Sequence, residues 1–259
     1  MKLILASKSD PAAMNIAARL LELYDFEETT KGQHVFSDYL TLITIAEEST
    51  KLDVLPYPAD EVIVASRHAS EAGKPSLTTH VPGDIGKGEL AMASPRTIKS
   101  ALLALRKKSE SLKIAYEVSL EATHHGPTRL EVPVTFVEIG SRPQQWVDEK
   151  AGEVVADAIM EAASSKTKCT NAIGLGGPHY APRHTDAALH TDVGIGHILP
   201  KYAKFDERMV ELAVGRTQGG VELLVLDWKG LDAEQRIICQ NAAKALGIGV
   251  ERSKEIPRR

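Results

Sequence analysis

An α/β fold with a mostly parallel, mixed sheet flanked by helices is what this sequence predicts, and three observations predict it. Short apolar runs of strand character are interleaved with segments of helical period from one end of the chain to the other. Glycine- and proline-rich turns follow those runs, where a sheet of this kind presents its ligand-binding loops. The 259 residues, 43% hydrophobic and 25% charged, suffice for one large core, with no internal repeat, low-complexity tract or clear linker. We therefore expect a single domain over residues 1–259; a seam between two halves from about Gly126 to Pro133 is the alternative.

In order, Lys2 to Ala6 reads as a first buried strand, and Ser9-Asp10-Pro11 supplies a cap and a first-turn proline for a helix to about Leu23. Alternating apolar positions mark strands near Thr41 to Ala46 and Glu61 to Ser66, with Leu55-Pro56-Tyr57-Pro58 as a local connection. A long loop is expected from Arg67 to Ala93, after which Ser94-Pro95 opens a helix to about Ser111. Ile114 to Ala122 alternates as a half-buried strand does, and Val134 to Ile139 is its expected neighbour. From Trp146 to about Ala163 the residues Val147, Ala151, Val154, Val155, Ala158 and Ile159 fall at helical spacing, followed by a strand from Cys169 to Leu175. Val193 to Leu199 and Val221 to Leu226 are late strands, and Asp232 to Leu246 is a helix stopped by Gly247.

Composition narrows the function classes. The N-terminal apolar run is too short for a signal peptide, and no segment approaches the roughly 20 apolar residues of a membrane helix, so a cytoplasmic protein is expected. Cys169 and Cys239 lie far apart without a Cys-x-x-Cys pair, which argues against a disulfide framework or a thiolate zinc finger. Any metal would rest on histidine and carboxylate. A net charge of −4 argues against indiscriminate nucleic-acid binding but leaves room for a local basic face. No heptad pattern signals a coiled-coil partner, so a monomer with no obligate protein partner is expected.

Eight of the nine histidines lie between His68 and His197, most in short segments after apolar runs. The segments are Ser66-Arg67-His68, Leu77-Thr78-Thr79-His80-Val81-Pro82-Gly83, Glu121-Ala122-Thr123-His124-His125-Gly126-Pro127-Thr128, Gly177-Pro178-His179-Tyr180-Ala181-Pro182-Arg183-His184 and Gly196-His197. Imidazole serves as general base or metal ligand near neutral pH, so this grouping points to a site. A hydrolytic zinc centre needs about three nitrogen or oxygen ligands and an open position for water. The candidates are His80, His124, His125, His179, His184 and Glu121.

The spacing matches no short ligand motif, and metal-free hydrogen bonding is the competing reading. On a regular strand His124 and His125 point to opposite faces and would not both ligate one ion, though the Gly126-Pro127 turn could reorient one of them. His190, on a presumed helix, and His34, outside the cluster, are expected to be structural or surface residues. Arg67, Lys74, Lys87, Arg183 and Lys201 flank the histidine segments and could hold an RNA backbone, whereas Arg106-Lys107-Lys108 is as readily a solvated helix face. The glycine loops at Gly83 to Gly88 and Gly174 to Gly177 fit neither the phosphate-loop nor the dinucleotide fingerprint.

Taken as an ordered series, these segments, with Met1-Lys2-Leu3-Ile4 before them and Gly196-His197-Ile198-Leu199-Pro200-Lys201-Tyr202 after, resemble the D-aminoacyl-tRNA deacylase family of archaeal and plant type. The resemblance spans nearly the whole chain. It implies hydrolysis of the ester joining a D-amino acid to the terminal ribose of tRNA, with Zn2+ as the metal. It further implies a fold similar to peptidyl-tRNA hydrolase and nucleoside phosphorylase cores, and extends to aldehyde-modified D-aminoacyl-tRNA as a second substrate.

Such a reaction needs an activated water, a stabilised oxyanion and a pocket selective for one configuration at the α-carbon. We expect His80, His124, His125 and His179 to hold metal or polarise water, Glu121 to orient them or act as base, and Thr123 or amides near Gly126 to face the oxyanion. The competing readings are another metal-dependent hydrolase of aminopeptidase or nucleosidase type, and a non-catalytic tRNA-binding module.

Overall fold

The fold is that of a computed structural model, which describes residues 1–259. The elements in chain order are β1 (Lys2–Ser7), α1 (Pro11–Leu23), β2 (Glu27–Thr30), β3 (Gln33–Ser37), β4 (Leu40–Ile45), β5 (Glu61–Ala69), β6 (Ser76–His80), β7 (Gly83–Asp84) and β8 (Glu89–Leu90). There follow α2 (Pro95–Ser111), β9 (Glu117–Leu120), β10 (Val134–Ser141), α3 (Pro143–Trp146), α4 (Glu149–Ser164), β11 (Thr170–Leu175) and α5 (Pro182–His190). The chain closes with β12 (Val193–Leu199), α6 (Glu207–Gly215), β13 (Leu223–Leu226), α7 (Ala233–Leu246) and β14 (Gly249–Arg252). Helix starts obey their sequence signals: Asp10 accepts from the amides of Ala12 and Ala13 ahead of α1, and Asp232 with Gln235 forms a capping box on α7.

The strands form two main sheets rather than one. An eight-stranded sheet has the order β2-β3-β4-β1-β5-β10-β6-β9, parallel from β4 through β10, with β6 antiparallel to β10 and β9 parallel to β6. A four-stranded, wholly parallel sheet has the order β12-β11-β13-β14. β10 follows the Gly126 to Pro133 segment yet lies between β5 and β6, so chain on both sides of that segment shares one sheet. Arg216 clamps the segment, donating to the carbonyls of Thr128 and Leu130.

The expected loop from Arg67 to Ala93 is corrected by the structure: β5 runs on to Ala69, β6 is a fully buried strand, and β7 and β8 form a small hairpin. β6 escapes a periodicity reading because its residues, polar Ser76, Thr78 and His80 included, are buried on both faces. β2 and β14 escape it for the opposite reason, being exposed along their length.

The larger apolar cluster joins β1, β4, β5 and β10 to α1, α2 and α4, with Phe136 near its centre, and reaches Ala172 and Val225 of the smaller sheet. A second cluster packs α6 and α7 on the smaller sheet through Val210, Leu224, Leu226 and Cys239. Within α2, the buried Lys99 amine donates to the carbonyls of Ala188, Thr191 and Val193, fastening the end of α5 and the start of β12. No helix is long and apolar enough to cross a membrane.

Candidate active site

Strand register gathers the site before any side chain is considered. Glu138 of β10 sits opposite Ser66 of β5 and Thr78 of β6, while Gly140 pairs with His68 and Phe136 with His80. All share one parity, so Ser66, His68, Thr78, His80 and Glu138 face the same side of the large sheet. The carboxyl ends of β1, β4 and β5 border that face, and with it they frame a cavity of ≈ 460 Å³ lined by Ser7, Asp10, Thr50, Arg67, His68 and Glu138, among others. His124, His125 and His179 close it from the opposite side.

The segment Glu121 to Thr123, which leaves β9 of the large sheet, ties that sheet to the small one. The Ala122 amide donates to the His179 carbonyl (2.7 Å), the Thr123 amide to the Ile198 carbonyl (2.9 Å), and the Thr123 hydroxyl accepts from the Ile198 amide (3.0 Å). His125 then adopts a left-handed backbone with φ of 43°, a rare conformation for a residue with a side chain. That inversion overcomes the strand geometry that would separate adjacent histidines: the rings of His124 and His125 lie 4.3 Å apart between centroids. Gly126 is required next, because a Cβ there would fall 2.5 Å from the Thr50 carbonyl oxygen.

Three groups of ligand-type atoms result, the third, His80, Glu121 and Glu138, sharing a member with each of the other two. His80, His124 and His125 each offer a ring nitrogen within 4.8 Å of the others. Nδ1 of His124 engages the Ala122 carbonyl (2.8 Å) and Nδ1 of His125 the Gly126 carbonyl (2.6 Å), so Nε2 of each carries the free lone pair. Nε2 of His80 lies 3.3 Å from Nε2 of His125, and its buried Nδ1 has no hydrogen-bond partner.

The second group is His68, Glu121 and His179. Glu121 Oε2 accepts from His179 Nε2 (3.1 Å), whose Nδ1 meets the Tyr202 hydroxyl (3.2 Å). His68 Nδ1 lies 3.0 Å from Oε1, which accepts no directed hydrogen bond, and His68 Nε2 meets the Tyr180 hydroxyl (2.9 Å).

The electrostatics separate the roles. Burial pushes His124 down to about 4; burial and the charges of His124 and His125 hold His80 well below the usual imidazole range, and burial lowers His125 as well. All three are neutral at pH 7. Burial acts to raise Glu121, but contacts with His179 and His68 and the neighbouring imidazole charges outweigh it and hold this carboxyl well below its ordinary value. Burial and the Glu121 charge push Glu138 well above its ordinary value. The two buried carboxyls are thus driven apart, Glu121 toward the ionised form and Glu138 toward the protonated one.

Of the residues expected from sequence, the cleft brings together His80, Glu121, His124, His125 and His179. His179 joins Glu121 rather than the three-imidazole group. Thr123 stands apart: its buried hydroxyl is committed to the Ile198 amide and lies 3.3 Å from His197 Nδ1. His184 is also apart, buried against Gly174 with neither ring nitrogen partnered. Arg67 lines the cleft, and Lys74, Arg183 and Lys201 are exposed, but Lys87 is spent on a 2.7 Å ion pair with Asp84. The expectations omitted His68 and Glu138. The signal for Glu138 was available, since a lone carboxylate within the apolar run Val134 to Ile139 demands partners; Tyr180 gave none.

The family model for D-aminoacyl-tRNA deacylase matches residues 56–251. The D-aminoacyl-tRNA deacylase of Pyrococcus furiosus is 40% identical over 268 residues, spanning 96% of this chain and 98% of that protein. Its counterpart in Archaeoglobus fulgidus is 36% identical over 275 residues, spanning 99% and 98%. The crystal structure of a conserved protein of unknown function, AF0625, matches the fold with a TM-score of 0.91 at 33% identity, covering 99% of this chain and 96% of that one. Carried across nearly the full length and with the histidine segments brought into one cleft, these matches establish that the chain belongs to the D-aminoacyl-tRNA deacylase family.

Proposed function

We propose that the protein hydrolyses the ester bond of D-aminoacyl-tRNA, releasing the D-amino acid and tRNA. The observation that carries the proposal, given the family, is the convergence of His124, His125 and His179 on one cavity, with His80 and the ionised Glu121 buried against them.

The three imidazoles suit a Zn2+ ion. They are neutral, two have their second nitrogen anchored on a backbone carbonyl, and the unpartnered Nδ1 of His80 lies 3.8 Å from Glu138. A zinc ion held by them would act as a Lewis acid and lower the pKa of bound water. Ion or not, Glu121 fixes His179 through Oε2, and the Tyr202 hydroxyl meets the other ring nitrogen, so a proton from the attacking water reaches His179 Nδ1 by way of that hydroxyl as it passes its own proton on. The water oxygen bonds to the ester carbonyl carbon, the bond to the ribose oxygen breaks, and the proton held on His179 passes to that oxygen. Arg67, at the cavity wall and 3.9 Å from Asp10, offers positive charge to the adjoining phosphate.

The test is release of tyrosine from D-tyrosyl-tRNA and L-tyrosyl-tRNA, with and without a chelator, with metal assayed on the same protein. We expect cleavage of the D-ester alone, abolished by chelation and by the His124→Ala, His125→Ala double substitution. Full activity in the double variant would overturn the assignment of these residues; RNA binding without turnover would overturn the enzyme.

A further inference from the structure

A second cavity, of ≈ 380 Å³, lies beyond the active site, lined by Arg183, Trp228, Lys229, Arg252 and Lys254. We infer that it grips the phosphates of the RNA strand whose terminal ester enters the histidine cleft; the inference rests on the proposed deacylase reading and locates where that substrate lies.

Topology makes the connection. In the small sheet all four strands are parallel, so their carboxyl ends share one edge. In the order β12-β11-β13-β14, that edge carries Tyr202 after β12, His179 after β11, Trp228 and Lys229 after β13, and Arg252 and Lys254 at the end of β14. The cationic cavity is therefore one to two strands from His179, about 5 to 10 Å at the usual spacing of neighbouring strands. The His179 loop is seated on the turn after β13, the Gly177 amide donating to the Gly230 carbonyl (3.1 Å), and Arg183 follows in the first turn of α5. One loop thus carries His179 at the active site and leads to Arg183 at the cavity.

Its charge is unanswered from within. Arg183, Lys229 and Lys254 are exposed and take part in none of the protein's ion pairs, although the chain carries an excess of acidic residues. Glu255 also lines the cavity but is met by Arg252 at 3.2 Å, and Asp227 is turned toward the Gly177 and Gly230 backbone. Arg236 and Arg252 lie 4.6 and 4.4 Å from the Trp228 ring centroid, fixing an aromatic among guanidinium groups. Gathering like charges costs folding energy, and a polyanion passing over this edge repays it. Such a combination of cations and an aromatic is the chemistry that holds single-stranded RNA.

The test compares Lys229→Glu, Lys254→Glu with a control, Lys166→Glu, Lys168→Glu, which makes the same change in net charge just before β11, at the opposite edge of that sheet. D-tyrosyl-tRNA, the D-tyrosyl ester of adenosine, and uncharged tRNA at several salt concentrations are the probes. We expect the first variant to raise KM for D-tyrosyl-tRNA about tenfold or more and to flatten the salt dependence of tRNA binding by about 1.4 in log–log slope, 0.7 per lost single-strand phosphate contact. It should leave kcat and cleavage of the adenosine ester as in the parent protein, and the control should match the parent throughout. A parent-like KM and slope would overturn the inference, as would an equal loss in the control or a parallel loss on the adenosine ester. If the parent protein cleaves neither ester, the deacylase reading falls by itself. The uncharged-tRNA arm still decides the surface, since loss in the first variant alone upholds it and equal binding by both variants overturns it.

Discussion

At the scale of single residues, the site depends on one backbone inversion. His124 and His125 are neighbours in sequence, and a strand would face them apart; the left-handed His125 turns both toward the cavity. The clustering of histidines was legible in the sequence, and so was a reorienting turn, placed there at Gly126-Pro127 rather than at His125, but the division into a three-imidazole group and groups centred on Glu121 was not. It depends on which strand lies beside which. His184 shows the limit of counting residue types. It sits in a histidine-bearing segment, yet the fold buries it with both nitrogens unpartnered and burial pushes it down to about 4.

Because the folded value lies below the ordinary 6.5, the unfolded chain takes the proton first. The contribution is whole above pH 6.5 and is lost as pH falls to about 4, amounting to about 3 kcal/mol by linkage. We expect His184→Met to leave ester hydrolysis intact and to raise the urea midpoint at pH 7 by the equivalent of about 1 kcal/mol, since a buried unsatisfied donor is removed. The decline of that midpoint between pH 6.5 and 4 should become shallower. A metal ligand would behave otherwise, with activity lost.

Among elements, the strands and helices that carry strong periodicity stand where the sequence placed them: β1, α1, β5, α2, β10, α4, β12 and α7. Those missed include buried strands with polar residues on the site face, such as β6, exposed edge strands, such as β2 and β14, the half-buried β3, and helix α6. Lys99 illustrates how elements are joined by a residue that reads as ordinary helix surface. Burial pushes its amine down to about 8, still protonated at pH 7, and its three donors satisfy three carbonyls around the α5–β12 junction. Lys99→Met fills the space but strands those carbonyls; we expect a loss of about 3 kcal/mol in chemical denaturation, whereas Lys107→Met on the same helix should change stability by less than about 0.5 kcal/mol.

For the whole molecule, periodicity indicated a mostly parallel sheet with helices but could not divide the strands between two sheets, because pairing partners leave no local trace. The division matters, since His68 rides on the large sheet and His179 on a loop of the small one, with Glu121 between them. Thr123 stitches that junction. Thr123→Val keeps the shape, removes the acceptor for the Ile198 amide, and should cost about 1 to 2 kcal/mol of stability while lowering kcat more than KM.

The carboxylate of Glu121 therefore works as an alignment gauge. Both of its oxygens read an imidazole whose position is set by a different layer, so a small slip of one layer against the other breaks the pairing while every helix and strand is still formed. In a denaturant titration, catalysis should fade before circular dichroism changes, and the interval between the two curves measures how loosely the layers are latched.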